Sequence, residues 1–399
     1  MYKPSQQILE NYAKVLINFA LNSGKGLKPK EVVFLDFEES AKDLGLEVYK
    51  RIILTGGHPI VRMYDENFSR VFFELASINQ IEFAPNEYYK GLVKTIDHRV
   101  SILSNKDPLY LKGVPAEKLV AANKSVLLLK RLMFEKEDAG KFTWTLGLYG
   151  TKKQADQAKL SLEDYWSQII KACFLDTPNP VAHWRKVFED LERIRTKLNK
   201  LNIKTIKVTA KDTDLVIGLG EKRLFAGGSG RNIPSFELFT SPDWRLVEGR
   251  VYFDQPLYRF GNLLQGVYLE FKKGRVVKAK AKKNEKLLQQ MIKQKNADKV
   301  GEFSLTDKRF SKIDKFMANT LYDENFGGSF GNMHLALGSS YHDCFAGNPK
   351  NLKDKDWQKL GFNDSVEHTD IVQSLDRVVE AELNNGSKIF LYKNGQFLI

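Results

Sequence analysis

The chain has 399 residues, of which 42% are hydrophobic and 28% charged, and its formal net charge is +13. This length suits two ordinary domains with real apolar cores, and no apolar run reaches the roughly 18 residues a membrane-spanning helix needs. Met1-Tyr2-Lys3-Pro4-Ser5 leads into a polar segment rather than a secretory h-region, and Cys173 and Cys344 stand far apart without a CxxC pair. Those features argue against a secretory signal, a disulfide framework and a thiolate zinc site, and they point to the reducing cytoplasm.

In chain order, apolar spacing predicts a helix over 8–22, ended by Ser23-Gly24-Lys25-Gly26, then a short buried strand over 31–35. A helix over 38–54, a strand over 59–63 and a helix over 67–78 follow. The segment 99–103 reads as a strand, 115–135 as a longer helix opened by Pro115, and 143–149 as a strand. Helices over 161–173 and 179–201 precede strands over 206–209 and 213–218. Alternating strand and helix predict an N-terminal layered α/β domain with a mostly parallel sheet.

Glycines at 218, 220, 227, 228 and 230 mark a change of character, which places one domain at 1–225 and a second at 226–399. The second half is rich in short strands and turns and is predicted to be a mixed α+β domain. The strands 266–271 and 275–281 flank Lys272-Lys273-Gly274, and 388–392 and 396–399 flank Asn394-Gly395, a type I′ hairpin signal. Helical patterning is confined to 285–295, 311–321 and 376–383.

Ten of the basic residues fall between Lys272 and Lys295. Val276, Val277, Ala279 and Ala281 interleave with them, as on a strand with one solvated face, and no aromatic residue there is placed to stack on bases. A nucleic-acid partner is therefore ranked last, and a membrane partner is not expected.

Gly327-Gly328-Ser329-Phe330-Gly331 fits neither the dinucleotide fingerprint nor the P-loop, and no G-x-S-x-G elbow is present. Metal chemistry fits the residues better. Three of the six histidines lie at 334, 342 and 368. In His368-Thr369-Asp370 an extended strand turns an imidazole and a carboxylate to one face. His334 sits inside an apolar strand-like run, and Glu237 and Glu302 are acids in apolar frames, while Glu324 follows Tyr322-Asp323. Buried acids need a cation or a partner, and an oxygen and imidazole set suits zinc, cobalt, manganese or magnesium. Each residue taken alone also reads as an ordinary core or surface side chain.

Taken in order, these blocks resemble the aminopeptidase T, aminopeptidase S and PepS family of co-catalytic metallo-aminopeptidases. The resemblance covers essentially the whole chain. It is carried by Leu9-Glu10-Asn11-Tyr12-Ala13, by Asn232 to Pro242 continued by Val247 to Val251, by Gly301-Glu302-Phe303, by Thr320 to Asn325 with His334 to Tyr341, and by His368-Thr369-Asp370. It implies metal ligands at Glu237, Glu302, His334, His368 and Asp370, with Glu324 beside the site and able to approach a metal. Glu302 would bridge or act as general base, and Tyr341 would donate to the tetrahedral oxyanion. It also implies a homodimer enclosing a cavity that admits short peptides. This sequence departs from the family at Phe236, where a glycine usually stands, in the insertion 327–332, and at Ile371-Val372-Gln373. The reaction so implied is removal of the N-terminal residue of a short peptide by water activated between two divalent ions, zinc or cobalt first, manganese or magnesium next. A different two-metal hydrolase, such as a phosphoesterase, would use the same ligand types.

Overall fold

The computed structural model describes residues 2–104, 106–107, 110–111, 113–228, 230–259 and 262–399. The chain divides into two compact units, Met1–Arg185 with Ser229–Ile233, and Lys186–Gly228 with Pro234–Ile399. The sequence pattern placed its boundary at 225; the chain passes between the compact units inside a long helix at residue 186 and crosses back briefly at 229–233.

The first unit opens with helix α1 (Gln6–Val15), capped by the Ser5 side chain, and the short turn α2 (Leu21–Gly24). Strand β1 (Val32–Glu38), helix α3 (Lys42–Leu54) and strand β2 (His58–Tyr64) follow. Helices α4 (Glu66–Leu75), α5 (Ile78–Glu82) and α6 (Asn86–Thr95) lead to β3 (His98–Leu103). Helices α7 (Ala116–Ser125) and α8 (Leu127–Asp138) lead to β4 (Thr143–Leu148), and α9 (Lys152–Gln157), α10 (Leu162–Ala172) and the start of α11 (Pro180–Lys200) complete the unit. The four strands form one parallel sheet in the order β2-β1-β3-β4. Helix α3 buries Leu44, Val48 and Ile52, a four-residue spacing that turns one stripe toward the sheet. Phe34 of β1 meets Leu92 of α6, Ile96 just beyond that helix and Phe142 in the core.

The second unit is antiparallel. Strands β5 (Ile203–Ala210) and β6 (Thr213–Gly218) precede β7 (Glu237–Thr240), β8 (Val247–Phe253), β9 (Leu257–Arg259) and β10 (Asn262–Leu264). The hairpin β11 (Val267–Lys272) and β12 (Arg275–Lys280) is followed by helix α12 (Glu285–Ile292), strand β13 (Val300–Thr306), the short helix α13 (Thr320–Asp323) and β14 (Asn332–Gly338). Helix α14 (Asp354–Lys359) and strands β15 (His368–Gln373), β16 (Arg377–Leu383), β17 (Lys388–Lys393) and β18 (Gln396–Phe397) end the chain. Eight strands make a sheet in the order β12-β11-β8-β6-β5-β16-β17-β18, and four make a second in the order β15-β14-β13-β7.

Two expected helices are strands or loop. Residues 376–383 carry helix-forming Glu, Ala and Leu, yet 377–383 form β16, where burial alternates with period two. Pairing with β5 and β17 on both sides overrides the local preference. The segment 311–319 is loop, because the Asp323 carboxylate accepts the N–H groups of Met317 and Asn319 that a helix would have used internally. The helix expected over 115–135 is broken at Val126, which separates α7 from α8.

Strands β13 and β14 are buried along their whole length. Their register shifts between Val300 and Glu302, at Gly301. A Cβ on Gly301 would stand 2.2 Å from the Ser339 carbonyl oxygen and 2.5 Å from that of Gly338. The replacement Gly301→Ala should therefore force two backbones apart and lower stability by roughly 1–3 kcal/mol. A urea midpoint equal to that of the parent protein would contradict this close approach.

Candidate metal centre

All six residues singled out as ligands lie in the second unit. Pairing register sets five of them on the four-stranded sheet. Ala336 of β14 stands directly between Glu302 of β13 and Asp370 of β15, and Gly338 faces His368. One step along the same face, His334 pairs with Ser304, and Thr306 pairs with Glu237 of β7. Side chains two apart on a strand share a face, so Glu302 with Ser304 and His368 with Asp370 point the same way. Neighbouring strands lie about 4.8 Å apart, so small residues at Ala336 and Ser304 leave space between the longer polar ones.

The side chains converge. His334 Nε2 lies 3.3 Å from Glu237 Oε2, 3.3 Å from Glu302 Oε1 and 3.9 Å from Asp370 Oδ1. His368 Nε2 lies 3.4 Å from Glu302 Oε2 and 3.4 Å from Asp370 Oδ1. The two oxygens of Glu302 thus face different imidazoles. Two sets of donor atoms, Glu237–Glu302–His334 and Glu302–His368–Asp370, each lie within 4.8 Å of one another and share Glu302. Glu324 caps α13 and is buried against the same acids, but it joins neither set.

Further groups hold this arrangement, among them Ser304 and Arg259, which the sequence reading did not single out. Ser304 Oγ donates to Glu237 at 3.1 Å. His368 Nδ1 lies 2.9 Å from the Ser339 carbonyl oxygen, which can only accept. Nδ1 therefore carries a proton, and Nε2 faces the cluster, where the neutral imidazole would offer its lone pair to a cation, the orientation a metal-binding histidine takes. The Phe236 N–H donates to Asn325 Oδ1 just ahead of Glu237. Arg259 pairs with Glu367 two residues before Thr369 and adds positive charge near Asp370. The Tyr341 ring stands edge-on to His368 and Phe239 and packs on the cluster of Ala226, Cys344, Phe345, Trp357 and Phe362. Its N–H donates to Ser241 Oγ. Of these, Tyr341 has a role from the sequence, and Ser304 and Arg259 have none.

The electrostatics are those of a site short of positive charge. Burial raises Glu237 to about 7, with His334 opposing and Glu302 and Asp370 adding to the rise. Burial, then Glu237, Asp370 and Glu302, push Glu324 well above the ordinary carboxyl value. Burial would raise Asp370 too, but the charge and hydrogen bond of His368 hold it at about 2. Burial would depress His334, yet the hydrogen bond to Glu302 and the nearby acids raise it to about 9. His368 rises well above its ordinary value, against its burial, because of Asp370 and Glu302. Burial and then the surrounding acids push Tyr341 upward as well, so its phenol keeps its proton.

A cation held by carboxylate oxygens and imidazole nitrogens fits this donor set, which contains no thiolate. The fit rests on the shared Glu302 and on the orientation of His368.

A family model described as thermophilic metalloprotease (M29) matches residues 5–397. The chain belongs to the M29 metalloprotease family. Curated relatives include aminopeptidase PepS of Streptococcus thermophilus, 27% identical with 98% of each chain covered. Aminopeptidase T of Thermus thermophilus is 26% identical, and aminopeptidase AmpS of Bacillus subtilis is also 26% identical, each over 98% of both chains. Among solved structures, wild-type AmpT from Thermus thermophilus superposes with a TM-score of 0.85 at 24% identity, covering 99% of this chain and 100% of that one. That likeness shows the fold, a parallel sheet in the N-terminal part and antiparallel sheets in the C-terminal part.

The pKa directions carry a testable sign. His334 is raised from 6.5 to about 9 in the metal-free protein. Its charged form therefore stabilises the metal-free fold fully below about pH 6.5, and that contribution is lost as pH rises through about 9. Ligand histidines must be neutral to bind metal, so zinc added at pH 7 should displace protons. Titration calorimetry in buffers of different ionisation enthalpy should show net release of one to two protons per chain. Buffer-independent heats would contradict the assignment.

Proposed function

We propose that this M29 metalloprotease is an aminopeptidase that removes the N-terminal residue of short peptides at a centre of two divalent cations, zinc or cobalt. The activity is supported by family membership and by relatives that are named aminopeptidases. The number of cations is supported by one observation above all: Glu302 directs one oxygen to each of two histidines and belongs to both donor sets. Glu237 and His334 would complete one site, His368 and Asp370 the other, with Glu324 as a further acid able to approach a metal. When bound, such cations supply Lewis-acid polarisation of the scissile carbonyl and acidify the attacking water.

The chain's own groups do the rest. Glu302 either bridges the two cations or, with one oxygen free of them, accepts a proton from the attacking water and delivers it to the departing amine. Tyr341, kept protonated by burial and by the acids around it, donates its O–H to the oxygen on which charge develops. The Ser339 carbonyl fixes the His368 tautomer, and Ser304 fixes Glu237. In this reading residues 226–399 carry the catalytic centre. A homodimer in the cytoplasm completes the proposal; both cysteines are buried thiols, as suits a reducing compartment.

Glu302→Gln should lower turnover of an aminoacyl amide roughly 10²–10⁴-fold while the far-ultraviolet circular dichroism is unchanged. Metal content should be measured on the same sample, because the variant removes a donor as well as a base. Chelation of the parent protein should abolish turnover, and zinc or cobalt should restore it. Full activity in the variant, or turnover indifferent to chelation, would end the proposal.

A further inference from the structure

The basic run Lys272 to Lys295 holds no aromatic residue of its own, which is why its sequence ranks a nucleic-acid partner last. Strand register supplies the aromatics from two neighbouring strands. Lys278 and Lys280 of β12 stand opposite Glu270 and Tyr268 of β11, and those two stand opposite Arg250 and Tyr252 of β8. The residues between them, Ala279, Leu269 and Val251, are buried, so all six lie on the outer face of the eight-stranded sheet. Lys278, Lys280 and Arg250 are exposed there, and the two tyrosines are half-buried. Lys282, just past β12, is exposed as well, and its N–H donates to the Gln265 carbonyl beside β11. Its Nζ lies 5.6 Å from the Tyr252 ring centre, and Lys278 Nζ lies 5.7 Å from that of Tyr268.

We propose that this face binds a single strand of nucleic acid, with bases stacked on Tyr252 and Tyr268 and phosphates met by Lys278, Lys280, Lys282 and Arg250. Two aromatic rings on adjacent strands, flanked by cations, make the kind of platform on which unpaired bases stack. A duplex keeps its base faces covered and has no use for the rings. The lysines that lie over the rings do not compete with a base. An exposed ammonium–ring contact is weaker than a stacked base, and the flexible lysine stem lets the ammonium swing to a phosphate.

Charge complementarity favours the same occupant. Among the described residues, no ion pair engages Lys278, Lys280, Lys282 or Lys283, whereas Lys207 pairs with Asp214 and Arg275 with Asp298 nearby. Three acids share the face, and each is already met. Glu248 accepts the Lys273 N–H, Asp214 has Lys207, and Glu270 stands between Lys278 and Arg250. The inference is independent of the peptidase reading, because none of these side chains belongs to the metal centre.

Fluorescence anisotropy of a labelled single-stranded thymidine 12-mer, titrated with the full chain, tests this. Binding on the order of micromolar is expected at low salt, and a fourfold rise in salt should weaken it roughly 50-fold as about four cations release counterions. Tyr268→Leu should weaken binding roughly 5- to 100-fold, and Tyr268→Phe, which keeps the ring, should bind as the parent does. Lys280→Gln/Lys282→Gln should weaken binding and flatten the salt dependence. Aminoacyl-amide turnover and circular dichroism should be unchanged in all three variants, which separates lost binding from lost folding. No binding at low salt would overturn the proposal. So would a duplex of equal length that binds as well, or Tyr268→Leu binding as the parent does, since the face would then be a general polyanion surface. A poly-glutamate peptide that displaces the strand as well as unlabelled strand does would overturn it too and assign the face to acidic proteins.

Discussion

Burying a carboxylate away from water is costly unless a cation or a hydrogen-bond donor meets it. The second unit places Glu237, Glu302, Glu324 and Asp370 together in its interior, with two imidazoles among them. The strain is visible in the opposed shifts, with Glu237 and Glu324 driven toward their neutral forms while Asp370 keeps its charge through His368. Added positive charge between the acids would relieve it. The donor chemistry, the shared carboxylate and the membership of a metalloprotease family all agree with that relief being divalent metal.

The arrangement depends on strand register more than on any one contact. A slip of one residue between β13 and β14 would turn Glu302 or His334 to the other face of the sheet. Backbone close approaches oppose such movement. Gly301 lies against the Ser339 carbonyl, and the same carbonyl orients His368. Gly338 takes φ of 113°, and a Cβ there would stand 2.0 Å from the Glu367 carbonyl oxygen. The two glycines therefore let β13, β14 and β15 approach closely enough for one glutamate to reach both histidines. Packing supplies the remaining wall, since Tyr341 and Phe239 lean on the aromatic cluster around Trp357.

Much of this was legible in the sequence, for physical reasons. The parallel sheet announced itself through alternation of short apolar runs with helical periods. The hairpin at Asn394-Gly395 was read from its turn residues, and both now take positive φ. His368 and Asp370 were paired by strand periodicity alone. Glu237, Glu302 and His334 each had an ordinary core reading, and only the order of blocks across the chain joined them. What was missed depended on tertiary context. Strand β16 has helix-forming composition and is held extended by two neighbours. Residues 311–319 spend their backbone donors on a buried aspartate. Ser304, Ser339 and Asn325 act through a hydroxyl, a carbonyl and an amide whose value appears only once the strands are paired.

The most direct measurement is anomalous diffraction at the zinc edge from crystals of the zinc-loaded protein. Two peaks per chain are expected, one within ligand distance of Glu237, Glu302 and His334, the other of Glu302, His368 and Asp370, with Glu302 between them. A single peak, or peaks remote from Glu302, would contradict the two-cation centre.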